Sequence, residues 1–284
     1  MKNKKLFAIS LLTFILCLGG CSDNNKTSTK EESKYEVIEN YITCKDQRKI
    51  YTRIYKPINI QNKTSTIIMS HGYSMTNADV KKDAEYFSSN GYVCVIFDYC
   101  GGSTISKSDG STENMTIETE FDDLDEVFNY TITLDYVDSS SVILFGCSQG
   151  GFMSTFYASR NVDKIKGLLL YYPSYCIPEK AVDGSSASKG EKYNEVAKKY
   201  YPVEDTILKP VKDMPILIFH GDNDHTVDLH YSQDAMKIFT NAELVVIPGA
   251  GHGFTMFKMG TVLDKEIHPK GLAFLNNLTK QSTF

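Results

Sequence analysis

The sequence has no long run of basic residues, and its formal charge is -5 over 284 residues. Nucleic-acid binding draws on clustered Lys and Arg that neutralise phosphates, so that class of partner is set aside. Nor is there an apolar run of the roughly twenty residues that a membrane-spanning helix needs; the uncharged stretch LFAISLLTFILCL, residues 6–18, falls short. The seven cysteines lie at spacings that match neither a zinc site nor a disulfide-rich scaffold. No internal repeat is present, and no metal or cofactor is expected. What the chain does have is 42% hydrophobic and 23% charged residues, enough to bury a full core near the upper size for one domain.

Lys2, Lys4 and Lys5 precede the short apolar run, which ends in Leu18-Gly19-Gly20-Cys21. That ending resembles the lipobox of bacterial lipoproteins. The resemblance implies a signal peptide over 1–20, Cys21 as lipidated new N-terminus, and an extracytoplasmic protein anchored to the bacterial cell membrane; an ordinary cleaved signal is the alternative. Residues 21–34 are polar, charged and unable to bury apolar surface, and read as a tether. The folded domain is then 35–284. Its cysteines, Cys44, Cys94, Cys100, Cys147 and Cys176, read as buried thiols.

From Tyr35 onward strand-like and helix-like segments alternate. YEVIENYITC and RKIYTRIYKP flank a turn-like KDQ and suggest an antiparallel pair. Six apolar runs follow: STIIMSH, YVCVIFD, SVILFG, IKGLLLYYP, MPILIFH and AELVVIPG. Runs of this kind suit a parallel sheet covered on both faces. Helical segments lie between them, the first capped by Asn77 or Asp79 and stopped by Gly91. Strand alternating with helix implies a doubly wound, mostly parallel α/β sheet, whose ligands sit beyond the carboxyl ends of the strands. Residues 174–213 separate two strands by far more than an ordinary connection and read as a small lid with a helix around Tyr193 to Tyr201; an unstructured insertion around DGSSASKG is the alternative. The run ETEFDDLDE reads as a solvated helix face.

Beyond those strand ends lies the chemistry. The pattern G-x-S-x-G in GCSQGG is weak alone, but Ser148 here follows a strand directly and opens a helical segment. A turn that sharp needs small neighbours, which Gly146, Gly150 and Gly151 supply, and the helix N-terminus favours a developing anion. A serine needs a base, usually imidazole. His252 lies on a Gly-flanked loop after the last strand; His71, His220, His225, His230 and His268 are the other candidates. HGDNDHTVD offers Asp222, Asp224 and Asp228 as the acid that orients the base. Asp224 has room to turn toward His252, and Asp222 equally suits a turn.

The motifs SHGYS, GCSQGG, HGDNDHTV and GAGHGF, in this order and at these elements, resemble the α/β-hydrolase superfamily over about Tyr35 to the C-terminus. The resemblance implies Ser148 as nucleophile, Asp224 as orienting acid and His252 as base. It implies an oxyanion hole from the backbone N–H groups of Tyr73 and Gln149. The stretch FDYCGGSTISKSDGSTENMTIETEFDDL, with a modest lid, looks like the cinnamoyl and feruloyl esterases and their acylglycerol-lipase and serine-aminopeptidase-like relatives. The expected activity is cofactor-free hydrolysis of a small-molecule carboxylic ester through an acyl-enzyme. Amide hydrolysis by the same triad, with Glu179, Glu191 or Glu195 of the lid holding a substrate amine, and a ligand-binding lipoprotein on an inactive scaffold are the alternatives. The tyrosines of LLLYYPSY and Tyr73 are candidates to face the acyl group. Cys147, in the x position before Ser148, is expected to point its thiol away from the site.

Overall fold

Among the described residues there are eight strands: β1 Tyr35–Thr43, β2 Lys49–Pro57, β3 Thr64–Ser70, β4 Val93–Phe97, β5 Val137–Cys147, β6 Gly167–Tyr171, β7 Ile216–Gly221 and β8 Ala242–Ile247. The structure, a computed structural model, describes residues 33–186, 189–254 and 262–280. The signal peptide, Cys21 and nearly all of the tether lie outside them. The strands form one sheet in the order β1-β2-β4-β3-β5-β6-β7-β8. β1 pairs antiparallel with β2 and β2 with β4, and every later pairing is parallel. The apolar runs are therefore central strands: β4, β6 and β7 are buried at every position, as expected of strands covered on both faces. β1 lies at the edge and is mostly exposed.

Among the described residues seven α-helices complete the layers: α1 Lys81–Ser89, α2 Ile117–Thr131, α3 Gln149–Arg160, α4 Ile177–Val182, α5 Glu191–Lys198, α6 His230–Met236 and α7 His268–Lys280. One core cluster joins one sheet face to α2, α3 and the lid, through residues such as Leu144, Val127, Phe156 and Ile207. The other joins the opposite face to α1 and α7, through Phe87, Phe145, Leu169 and Leu275. None of the helices among the described residues is long and apolar enough to cross a membrane.

Three expectations change. The first helical segment is capped by Thr76, not by Asn77 or Asp79. Thr76 is extended, its side chain accepts from the Ala78 N–H, and Asp79 reaches back to the Thr76 N–H at 3.0 Å. That reciprocal box satisfies two otherwise orphaned donors, worth about 1 kcal/mol, while Asn77 is engaged by Asp98. The segment 174–213 is not an unstructured insertion over its described length: it holds α4, α5 and short turns over Glu204–Leu208 and Lys209–Val211. Its second helix is shifted toward the N-terminus from the expected position. Tyr193 of α5 is buried, and Tyr200 packs on Phe156 with ring centroids 4.6 Å apart.

The acidic run on α2 is also not simply solvated. Helical spacing places Glu120 and Asp123 on the inner face with Ile117, Leu124 and Val127. Asp123 accepts from Arg48 and from the Cys100 N–H, each at 2.7 Å. Burial nevertheless holds the Asp123 carboxyl up at about 6, against the pull of Arg48.

Candidate active site

β5 ends at Cys147 and α3 begins at Gln149, so Ser148 alone makes the turn, with φ 54° and ψ -120°. A non-glycine residue in that region carries about 1–3 kcal/mol of strain and needs surroundings that enforce it. They do: a side chain at Gly146 would run into the Gly150 carbonyl, and one at Gly150 into the Ser70 and His71 carbonyls. The Ser148 N–H is held by the Tyr171 carbonyl at 2.9 Å. The glycines of the motif thus permit the helix to start against the sheet.

His252 Nε2 lies 3.0 Å from Ser148 Oγ, and His252 Nδ1 lies 2.7 Å from Asp224 Oδ2. The carboxylate can only accept, so Nδ1 carries a hydrogen and Nε2 of the neutral ring is left as an acceptor toward the hydroxyl. Asp224 is itself fixed, its Oδ1 accepting from the Thr226 and Val227 N–H groups, each at 2.9 Å. Burial alone would raise the Asp224 pKa. Hydrogen bonds from His220, His252 and the Val227 N–H outweigh it and carry the group well below the usual carboxylate range. Asp224 therefore stays ionised beside the imidazole.

The other candidates are engaged elsewhere. His71 Nδ1 donates to the Gly72 carbonyl at 2.8 Å and Nε2 accepts from the Tyr99 N–H at 3.2 Å, and burial lowers its pKa. His220 sits between Ser232 and the Val227 carbonyl, with Nε2 3.5 Å from Asp224. His230 pairs with Asp228 at the surface, His225 is exposed, and His268 meets Asp83. Asp222 accepts from the Gly249 N–H at 2.5 Å, as a turn residue does. Among the described residues no three His, Cys, Asp or Glu side chains gather as metal donors.

A cavity of about 630 Å³ opens beside Ser148 and His252, within the usual range for small-molecule sites. Tyr73, Tyr171 and Tyr172 line it, and Tyr172 packs edge-on to His252 with centroids 4.7 Å apart. Tyr175 is a core residue, its hydroxyl bonded to Thr155. Cys147 is among the residues that line the same cavity. Its thiol contacts the Ser70 carbonyl at 3.8 Å, and burial pushes it up to about 12, so it holds no thiolate. Glu179, Glu191 and Glu195 do not line the cavity; Glu195 pairs with Lys198 at the surface.

Gly72 approaches the elbow closely: a Cβ there would sit 3.4 Å from Ser148 Cβ. Ser174, Glu120 and Lys189, which meet the site here, were not singled out as site residues from the sequence. Ser174 Oγ lies 3.2 Å from Ser148 Oγ. Gln149 Nε2 donates to both oxygens of buried Glu120 at 2.8 and 2.7 Å, and its Oε1 accepts from Lys189 of the lid. Burial pushes Glu120 up to about 7 and pulls Lys189 down to about 8, the two charges partly offsetting this in each other. The spacing of Glu120 from Ile117 and Leu124 was the available clue to its inward side chain.

The structure resembles Est1E from Butyrivibrio proteoclasticus with ferulic acid bound, with a TM-score of 0.71 and 26% identity over 85% of this chain and 98% of that one. A putative dipeptidyl aminopeptidase IV from Bacteroides ovatus shares the fold, with a TM-score of 0.70 and 19% identity over 87% of this chain and 36% of that one. Quorum-quenching protein AidA of Acinetobacter baumannii is 30% identical over 100 residues, 34% of this chain and 32% of AidA, so the match spans about a third of that relative's length. The fold is that of an α/β-hydrolase. The pattern of the prolyl oligopeptidase family matches residues 78–281, and the chain belongs to that family.

Proposed function

We propose that the protein is a serine hydrolase that cleaves carboxylic esters through an acyl-enzyme, with Ser148 as nucleophile, His252 as base and Asp224 as orienting acid. The observation that carries this is the continuous chain of hydrogen bonds from Asp224 through His252 to Ser148, on a strained turn beside an apolar cavity. Ser148 Oγ attacks the carbonyl carbon as Nε2 takes its proton. The resulting oxyanion is met by the backbone N–H groups of Gln149, at the head of α3, and Tyr73, each donor worth about 3 kcal/mol in the transition state. The C–O bond breaks, and the leaving alcohol takes the proton from His252. Water then attacks the acyl-serine with His252 again as base, the bond to Ser148 Oγ breaks, His252 returns the proton to Oγ, and the acid departs.

Est1E holds ferulic acid, and Tyr73, Tyr171 and Tyr172 offer ring faces or edges to a planar acyl group. A feruloyl or cinnamoyl ester is the finer reading. Amide hydrolysis is the second, favoured by the family match, since the same triad serves both bonds. p-Nitrophenyl butyrate, methyl ferulate and an aminoacyl p-nitroanilide, offered to the protein and to Ser148→Ala, separate them: ester turnover lost in the variant supports the first reading, and turnover of the anilide alone replaces it. The motif ending at Cys21 supports a lipid anchor that holds an extracytoplasmic domain on the bacterial cell membrane; Cys21→Ala should then leave the membrane fraction, and unchanged partitioning would refute the anchor.

A further inference from the structure

Much of the cavity wall is apolar, with Val80, Phe145, Phe254 and Leu263 among its lining residues, yet Asp83 of α1 also lines it. Asp83 is only 5% exposed. Its Oδ1 accepts from the Tyr171 hydroxyl at 3.1 Å and from His268 Nε2 at 3.0 Å. Among the described residues no donor meets Oδ2, and that atom is not one of the sealed, partnerless polar atoms. It is therefore not fully enclosed, on a residue that lines the cavity.

This cluster has no part in the proton transfers between Ser148 and His252. Burial and the adjacent carboxylate hold the Tyr171 phenol far above its ordinary value, so it remains a donor to Asp83. His268 Nδ1 is buried without a hydrogen bond, 3.7 Å from Asp264. A carboxylate oxygen beside an apolar cavity loses solvation unless a donor enters with the ligand. A few placed polar groups in an apolar pocket are what orient a small molecule.

We propose that Asp83 is a specificity-determining residue whose Oδ2 accepts a hydrogen bond from a hydroxyl at the distal end of the substrate's acyl group. The selected class is an acyl group apolar along its length with a terminal hydroxyl. A hydroxyl is favoured over an ammonium because Lys82 lines the same cavity and the apolar walls would have to desolvate a second full charge. Asp79, which also lines it, is exposed and already holds the Thr76 N–H. The inference rests on the reading of Ser148 as nucleophile.

The test uses matched esters that differ by one hydroxyl, methyl p-coumarate against methyl cinnamate and methyl ω-hydroxyhexanoate against methyl hexanoate. Rates are measured with the full chain, with Asp83→Asn and with Asp83→Leu. The expected result is a kcat/KM about tenfold or more higher for the hydroxylated member of at least one pair, with the preference shrunken in Asp83→Asn and absent in Asp83→Leu. No preference in either pair, or a preference that survives both substitutions, overturns the inference. p-Nitrophenyl acetate run beside Ser148→Ala reports separately on the nucleophile. Calorimetric binding of p-coumaric and cinnamic acids to the Ser148→Ala chain decides the subsite even if no ester turns over: tighter binding of the hydroxylated acid supports it, and equal binding overturns it.

Discussion

The Lys189 ammonium sits 3.8 Å from the centroid of the Tyr73 ring and also donates to Gln149 Oε1. One lid residue thus grips both residues whose backbone N–H groups are proposed to meet the oxyanion, the first through a cation–π contact and the second through a charge-assisted hydrogen bond. The Tyr193 ring, 4.7 Å away, closes the cage from α5. The segment that carries Lys189 is thereby joined to both Tyr73 and Gln149 through a single charge.

Lys189→Met keeps the apolar stem and removes that charge. A donor displaced by a fraction of an ångström is felt in the transition state more than in substrate binding, so kcat should fall about tenfold with KM little changed. Lys189→Arg should recover part of the loss. Because burial brings Lys189 down to about 8, wild-type kcat should decline as pH rises through that value, and the Met variant should lack this limb. Identical pH profiles for the two proteins would exclude the coupling.

Glu120 tests the same network through stability. Its folded pKa is raised from the ordinary value of 4.5 to about 7, mainly by burial. The folded state binds the proton more tightly, so this contribution is complete below about pH 4.5 and is lost as pH rises through 7. Glu120→Gln has no such proton and keeps an acceptor for Gln149 Nε2. Thermal melts should show wild type losing ground to the variant between pH 4.5 and 7, and parallel curves would count against a raised Glu120.

The sheet, the turn at Ser148 and the meeting of Ser148, His252 and Asp224 were legible because each depends on local pattern: continuous apolar runs for β4, β6 and β7, and glycines at the two points beside Ser148 where backbones nearly touch. Glu120 and Asp123 were misread because a dense acidic run hides the 3.6-residue period that turns two of its members inward. Lys189 and Asp83 were illegible for another reason. Their partners, Gln149 and Tyr73 for one and Tyr171 and His268 for the other, come from distant segments, and no spacing along the chain announces such contacts. Asn77 lost the cap to Thr76 because Asp98 engages it, again a long-range competitor.

The strain at Ser148 has a measurable consequence. Its φ of 54° suits glycine far better than serine. Ser148→Gly should abolish ester turnover and yet raise stability by about 1 kcal/mol, seen as a higher melting temperature. A variant that melts lower than wild type would mean that the hydroxyl's bonds to His252 and Ser174 outweigh the strain.

Asp224→Asn separates orientation from charge at the triad. The new side chain can keep its Oδ1 bonds to the Thr226 and Val227 N–H groups, which fixes the amide nitrogen toward His252. An N–H facing Nδ1 forces that nitrogen to accept, so Nε2 carries the hydrogen and cannot take the proton of Ser148. With the imidazole held in the wrong tautomer, kcat should fall roughly ten-thousandfold. The slope of stability against pH should differ between the two proteins only in acid. The folded pKa of Asp224 is depressed, so its contribution is present above the ordinary carboxylate value and is lost as pH falls through the folded one. The wild-type melting temperature should drop in acid more steeply than that of Asp224→Asn. A variant within tenfold of wild-type kcat would remove Asp224 from the triad, whatever its acid limb shows.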